Sequence, residues 1–461
     1  MFELEGRAAN QAAEAGDDRS QGALRIMFLS CLYPPESEPS ALMAAQLARS
    51  LKAHGHDVTV VAPFPNRPKG IAYEGYRRCL RRIEYLDGVR VVRCPTWFVG
   101  PVRRPARRVL ENLSFGVVGA LYAALEHRPD VLLVETWPLA AVQIGLWAAK
   151  ILRIPSLYYI KDLYPDVLED SGILRRHGWL AKSLLSWDRK LCLGSSRVIA
   201  ISAGMKETLV GTRNISPDHV VVIQDWIDEE EFRPVVRENE WRRAMGLKPE
   251  SFVALYAGTL GIVSGADILV ETAEALKDCP DTLLLCVGEG VLKEKMAMTS
   301  ARRSLRNIRF EPFQDRKQVP EMHAAADVCL LTMRPGLSNA SVPSKLITYM
   351  AAGRPVICAA PSETDVARVV LRANAGRVIP PGDSAALAHA ILELQANPAL
   401  AREMGANARR YFQCELAFRH RYEEFISVIR QAVARRGPGS TFTQSDGSRS
   451  GSIVSAHGGV Q

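Results

Sequence analysis

A chain of 461 residues is too long for one ordinary hydrophobic core and points to two domains of near-equal size. With 47% hydrophobic and 23% charged residues it reads as a soluble globular protein, and its longest charge-free apolar runs, such as Leu113–Leu125, are too short to span a bilayer. A net charge of +8 without a recognition motif argues against nucleic acid, while nine cysteines without CxxC or Cys/His ligand spacing argue against a disulfide framework or structural zinc and fit a reducing cytoplasm.

Residues 1–23 are polar and partly acidic, show no secretory signal and are expected to form a flexible leader. A strand (24–30), a loop (Pro34–Ser40), a helix (40–55) and a second strand (57–63) follow. The loop leaves the carboxyl end of the first strand and should project into a cleft. From Arg77 to Arg108 ten arginines meet only two acids, Glu84 and Asp87, interleaved with Tyr85, Trp97 and Phe98. Such a run is either a solvated basic face or a surface for anionic lipid or a pyrophosphate-bearing acceptor. Strands at 130–136, 156–160 and 197–202 continue the α/β rhythm. The middle one ends in Lys161 and Asp162, where a carboxylate can bond an acceptor hydroxyl or a sugar, or equally cap a helix.

The boundary between halves falls near 220–234, where a strand runs into an acidic, Pro-ended connector. The expected division is 24–222, 223–411, a C-terminal helix over 412–436 and a disordered Gly/Ser-rich tail over 437–461. Strands in the second half are expected at 252–258, 282–288, 307–313, 327–333, 355–360 and 376–380. Two doubly wound, Rossmann-like sheets facing one another across a cleft are the natural inference.

Three stretches of this half carry candidate chemistry. Gly258, Gly261 and Gly265 bracket Thr259 ahead of an amphipathic helix, a turn that is structural or lets the backbone approach a phosphate. Gly288 and Gly290 flank Glu289 in a turn that is either ordinary or lines a ribose or nucleobase pocket. From Val328 to Ser362 there is no acid, yet Arg334, Lys345 and Arg354 are present. Ser341 or Ser344 can cap the helix that begins there, Pro343 suits its first turn and Gly353 ends it. Lys345 and Thr348 share one helix face. Lys345 is either a surface lysine or, with helix starts near 265 and 344, part of a diphosphate site. There is no DxD, no G-x-x-x-x-G-K-[ST] loop and no GxSxG elbow, which argues against a metal–diphosphate clamp, P-loop NTPases and hydrolases.

Taken together, residues 24–435 resemble a retaining GT-B glycosyltransferase of family 4. They are most similar to the branch with L-fucosamine-type transferases of O-antigen and colanic acid assembly. The stretches that carry this are "YPPESEPSALMAAQLARSLKAHGHDVTVVAPFPNRPKG", "DGVRVVR", "IKDLYPDVLEDSGIL" and "YAGTLGIVSGADILVETAEAL" with "VPSKLITYMAAGRPVI". The resemblance implies that Gly258, Thr259 and Gly261 contact the donor diphosphate, that Gly288, Glu289 and Gly290 lie near the nucleotide, and that Phe313 stands where backbone meets the base. Pro343, Ser344 and Lys345 form the phosphate-neutralising element, and Lys161 and Asp162 fall on a motif that continues through Tyr164 and Pro165. Lys161, Asp162 and Lys345 are the implied catalytic residues, and Glu38, Pro39 and Ser40 the acceptor or sugar loop. Thr348 stands where the family usually has a ribose-binding glutamate, and Ala340 where it has an earlier one.

The implied activity is transfer of a hexose-type sugar from a nucleotide-sugar, UDP-linked rather than GDP-linked, to a polysaccharide or lipid-linked glycan, with retention and without metal or cofactor. Cell-envelope or lipopolysaccharide synthesis at the inner face of the plasma membrane follows, with 77–108 contacting anionic lipid and the C-terminal helix packing back on the first domain. The alternative is a catalytically weak scaffold that binds nucleotide or a partner protein, motivated by Thr348. An epimerase would need focused histidines, and the nine present do not cluster in sequence.

Overall fold

A computed structural model describes residues 22–67, 73–76, 82–94, 114–122, 128–136, 139–337 and 342–435. The expected leader (1–23, apart from its last two residues) and Gly/Ser-rich tail lie outside the described residues, as does most of the arginine run. The first half comprises β1 (Arg25–Leu29), α1 (Pro39–Ala53), β2 (Asp57–Pro63), β3 (Arg82–Leu86), β4 (Val89–Cys94), α2 (114–122), β5 (Val131–Glu135), α3 (Leu139–Leu152), β6 (Ser156–Ile160), α4 (Asp166–Asp170), α5 (Trp179–Gly194), β7 (Arg197–Ala200), α6 (Ala203–Arg213) and β8 (Val220–Val222). The second half comprises α7 (Glu240–Ala244), β9 (Phe252–Ala257), α8 (Ile268–Ala275), β10 (Thr282–Val287), α9 (Lys293–Arg302), β11 (Ile308–Glu311), α10 (Val319–Ala324), β12 (Val328–Thr332), α11 (Lys345–Ala351), β13 (Val356–Ala359), α12 (Asp365–Arg372), β14 (Gly376–Ile379), α13 (Ser384–Ala396) and α14 (Pro398–Tyr411). A π-turn over Phe412–Leu416 leads into α15 (Phe418–Ala434).

The strands form two sheets, ordered β3-β4-β2-β1-β5-β6-β7-β8 and β11-β10-β9-β12-β13-β14. Central strands such as β5 and β12 are buried along their whole length, so their sequences, VLLVE and VCLLT, run apolar rather than alternating. Pairing is parallel except between β3 and β4, an antiparallel hairpin closed by Asp87 and Gly88 at φ 50° and 79°. The charge reading of 77–108 did not resolve this hairpin, although "DG" between apolar residues is its signal. It also changes the meaning of one arginine. Arg93 is fully buried, 2.7 Å from Glu84, and donates to the carbonyls of Pro63 and Pro34. It clamps the base of the cleft loop instead of facing solvent.

The chain crosses between the sheets twice, at Trp226–Ile227 and at Ala417, and Ile227 and Ala417 pair as a β-bridge. After the second crossing α15 returns to the first half, where Tyr422, Phe425, Ile426 and Ile429 enter the core of the eight-stranded sheet. Trp226 packs on Phe418 and Phe425, with ring centroids 5.6 Å apart in both pairs.

Candidate active site

The carboxyl ends of both sheets open onto a shared cleft of about 1600 Å³. From the first half it is lined by the loop and start of α1, including Glu38, Pro39 and Met43. From the second half come Gly258, Thr259, Gly261, Phe313, His323, Pro343, Ser344, Lys345 and Thr348. Parallel α/β sheets hold ligands at this edge because the connecting turns and their polar backbone groups collect there. Ser40, Lys161, Asp162, Gly288 and Glu289 do not line it.

Lys345 opens α11, and its ammonium reaches back over the end of β9. Nζ donates to the Tyr256 hydroxyl (2.8 Å) and sits 4.0 Å from the centre of that ring, while the hydroxyl donates to Thr259 O (2.8 Å). Among the described residues no carboxylate lies within ion-pair distance of it. Burial therefore pushes Lys345 down from 10.5 to about 7 and Tyr256 up to about 12. A Cβ on Gly258 would stand 3.2 Å from Nζ, so a glycine there keeps the ammonium seated at the turn. Half-buried at the cleft wall, the charged form of this group can take an anion from the cleft as its counter-charge. Ser344 takes the N-cap position of α11 without a side-chain cap bond, Ser341 lies outside the described residues, and Thr348 Oγ1 donates to Lys345 O (2.8 Å).

The glycine turn differs in detail from the expected phosphate cradle. Its amides at Gly258, Leu260 and Gly261 already donate to Val287 O, Glu289 O and Ser264 Oγ. Gly288 and Gly290 sit behind it: a Cβ on either would meet Gly258 O at 1.9 Å or Leu260 O at 2.2 Å. The second turn is thus a backbone brace for the first, and Glu289 points outward to Lys293 (2.7 Å). Helix α8 begins at Ile268, three residues after Gly265.

Three aromatic side chains of this wall escaped the sequence reading. Tyr349 is fully buried, accepts from Ala257 N (2.9 Å) and donates to Ala257 O (3.0 Å), pinning the strand end just before Gly258. His323 stacks edge-on against it at 5.2 Å, and burial drives that imidazole down to about 3, so it is neutral. Tyr256 lies beneath Lys345. Each occupies a position in an apolar run, so only tertiary neighbours distinguish it from filler.

On the opposite wall Glu36 Oε1 accepts from the amides of Asn66 and Arg67 (3.1 Å each), which fixes the loop that presents Glu38. Lys161 lies one layer behind Met43, whose Sδ is 3.8 Å from Nζ, and is paired with Glu135 at 3.5 Å. Ser30 donates to the same carboxylate, and Asp225, held by the Tyr159 hydroxyl (3.2 Å), completes the group. Burial raises both Glu135 and Asp225, with Lys161 opposing. Asp162 is half-buried beside this network.

Comparison with known proteins bears on the family and the fold. Residues 41–231 match the family described as Glycosyltransferase Family 4, and residues 237–411 match Glycosyl transferases group 1. The chain is 24% identical over 353 residues to WcaI of Escherichia coli strain K12, a glycosyl transferase whose name assigns it to colanic acid biosynthesis, covering 75% of this chain and 86% of WcaI. Sucrose-phosphate synthase from Thermosynechococcus elongatus superposes with a TM-score of 0.69 at 20% identity, over 89% of this chain and 99% of that one. HepE of Anabaena, solved with UDP-glucose, gives 0.65 at 17% identity, over 88% and 100%. The chain is a GT-B glycosyltransferase, with a family 4 first half and a group 1 second half.

Proposed function

We propose that the protein transfers a sugar from a nucleotide-sugar to a hydroxyl of a polysaccharide or lipid-linked glycan, with retention and without a metal. The observation that carries this reading is Lys345: a half-buried ammonium at the cleft wall, against a glycine turn, with no carboxylate within ion-pair distance among the described residues. A diphosphate supplies the missing charge. As the bond from the sugar's anomeric carbon to the diphosphate breaks, negative charge grows on the departing phosphate, and Lys345 stabilises it. The acceptor oxygen bonds to the same face of the sugar, and its proton passes to the departing phosphate oxygen. Lys161 and Asp162 act from behind the acceptor wall, with Glu38 and Pro39 facing the acceptor and Ser40 in the turn that carries them. Phe313 and Thr348 face the nucleotide, with Gly288 and Glu289 bracing the turn beneath it.

UDP is the nucleotide to try first, since HepE, with the same fold, was solved with UDP-glucose. The name of WcaI motivates an envelope polysaccharide acceptor and work at a membrane, with the basic stretch 77–108 contributing. A thermal-shift comparison of UDP, GDP, ADP and dTDP should give one clear winner, because a ligand that binds only the native state raises apparent stability. Lys345→Met should abolish that shift. If no nucleotide raises the melting temperature of the wild type, the donor reading is wrong.

A further inference from the structure

We infer that the outer face of α2, α3 and α5 lies flat on an anionic lipid bilayer. This rests on the proposed membrane-linked acceptor but concerns a surface remote from the donor pocket. Six large apolar side chains stand in solvent there: Val117 and Leu121 on α2, Trp147 and Ile151 on α3, Trp179 and Leu193 on α5. Ile151 and Trp179 are each 80% exposed and Trp147 58%, and these two tryptophans are the exposed ones among the described residues. The spacing places each set on one side of its helix, four apart on α2 and α3. On α5 the exposed stripe is Trp179, Lys182, Ser186, Lys190, Leu193.

The helices form one layer. Gly116 lets α2 touch α3 so closely that a Cβ there would meet Ala141 Cα at 2.7 Å, and Trp187 on α5 donates to Gln143 on α3 (3.0 Å). The other face of the sheet is covered by α1 and α15. Among the described residues of these three helices the only acid is Asp188, which is buried and held by Arg213 at 3.1 Å, whereas Lys150, Lys182 and Lys190 are exposed. The acid-free surface ends at α6, where Glu207 pairs with Arg368 of the other half (3.1 Å).

Tryptophan beside lysine, with no exposed acid among the described residues of the three helices, matches the boundary of an anionic bilayer: the rings enter the headgroup layer and the ammonium groups meet lipid phosphates. A second copy is a poorer occupant, since a two-fold contact sets this patch against itself and brings lysine to lysine with no exposed acid among the described residues of these helices to pair them. Among the described residues no helix is long and apolar enough to cross a membrane, so contact is from one side. The face also reaches the cleft. Asp170 and Ser171 line the cleft, and the loop that continues from them carries exposed Ile173 and ends at Trp179. A glycan head attached to a lipid can therefore enter the cleft while its tail stays in the bilayer.

Co-sedimentation of the full chain with phosphatidylglycerol/phosphatidylcholine vesicles, against phosphatidylcholine alone, tests this. Wild type should bind the anionic vesicles at least about tenfold better. The triple variant Lys150→Gln, Lys182→Gln, Lys190→Gln should lose roughly a hundredfold, at about fivefold per lysine. Trp147→Ser with Trp179→Ser should bind several-fold more weakly. All of these side chains are exposed, and an unchanged nucleotide thermal shift would verify both fold and donor site, separating this test from that of the donor reading. Binding unaffected by either variant, or sensitive only to charge reversal at Arg103, Arg104, Arg107 and Arg108, would overturn the inference. So would a dimer in light scattering that the tryptophan variant dissolves.

Discussion

In the ligand-free protein burial pushes the Lys345 ammonium down from 10.5 to about 7. Below that pH both native and unfolded chains hold the proton, and the burial cost is present in full. Between pH 7 and the ordinary value of 10.5 the unfolded chain keeps a proton that the native one has shed, so this residue makes stability rise with pH. Lys345→Met removes the effect. The variant should be more stable than wild type by on the order of 4 kcal/mol at pH 6, the gap closing by pH 10, as read from urea unfolding at matched pH. The same physics couples donor binding to a proton. At pH 8 a diphosphate should draw in close to one proton per site in wild type and none in the methionine variant, measurable by calorimetry in two buffers of different ionisation enthalpy. Equal observed heats of binding in the two buffers for the wild type would place the anion elsewhere.

At the scale of elements, the site depends on two turns that brace each other. Leu260 donates to Glu289 O and Leu292 to Leu260 O, and the glycines at 288 and 290 exist because carbonyl oxygens occupy the space of a Cβ. Gly288→Ala forces those backbones apart. A loss of about 2–4 kcal/mol in unfolding free energy is expected, together with weaker donor binding, because the displaced segment carries Gly258 and Thr259. The exposed Glu289–Lys293 pair is the control, and Glu289→Ala should change stability by less than about 1 kcal/mol. The spacing of these glycines was legible in the sequence. Which turn faces ligand and which supports it was not, since both follow a buried parallel strand and look alike until the strand order, β11-β10-β9-β12, is known.

Across the whole molecule the two halves meet at more than the hinge. Asp365 at the start of α12 accepts from the Gly204 amide at the start of α6 (3.0 Å), next to the Glu207–Arg368 pair, and Arg176 donates to Gly336 O (2.6 Å). A carboxylate from one half thus caps a helix of the other, and it is buried in this arrangement. Asp365→Ala should weaken the closed arrangement by about 1–2 kcal/mol. A larger radius of gyration in small-angle scattering, reduced again by donor, is the expected signature, and an unchanged scattering profile would show that these contacts do not hold the halves together. Closure matters to the chemistry because excluding water protects the activated sugar from hydrolysis.

The sequence alone determined what depends on local order: buried parallel strands as continuous apolar runs, glycines where two backbones approach, and a 35-residue acid-free segment around Lys345. Those features follow from chain geometry and composition, so they are visible before folding. Tertiary structure decided what depends on neighbours far apart in the chain. Tyr256, eighty-nine residues before Lys345, takes the lysine's hydrogen bond and lies under its ammonium at the cleft wall, while Glu135 draws Lys161 into a pair behind Met43. Arg93 likewise leaves the basic run to become a clamp. Charge in a sequence has a sign but no dielectric surroundings, and it is the surroundings that leave one lysine against a tyrosine ring at the cleft and draw another into an internal ion pair.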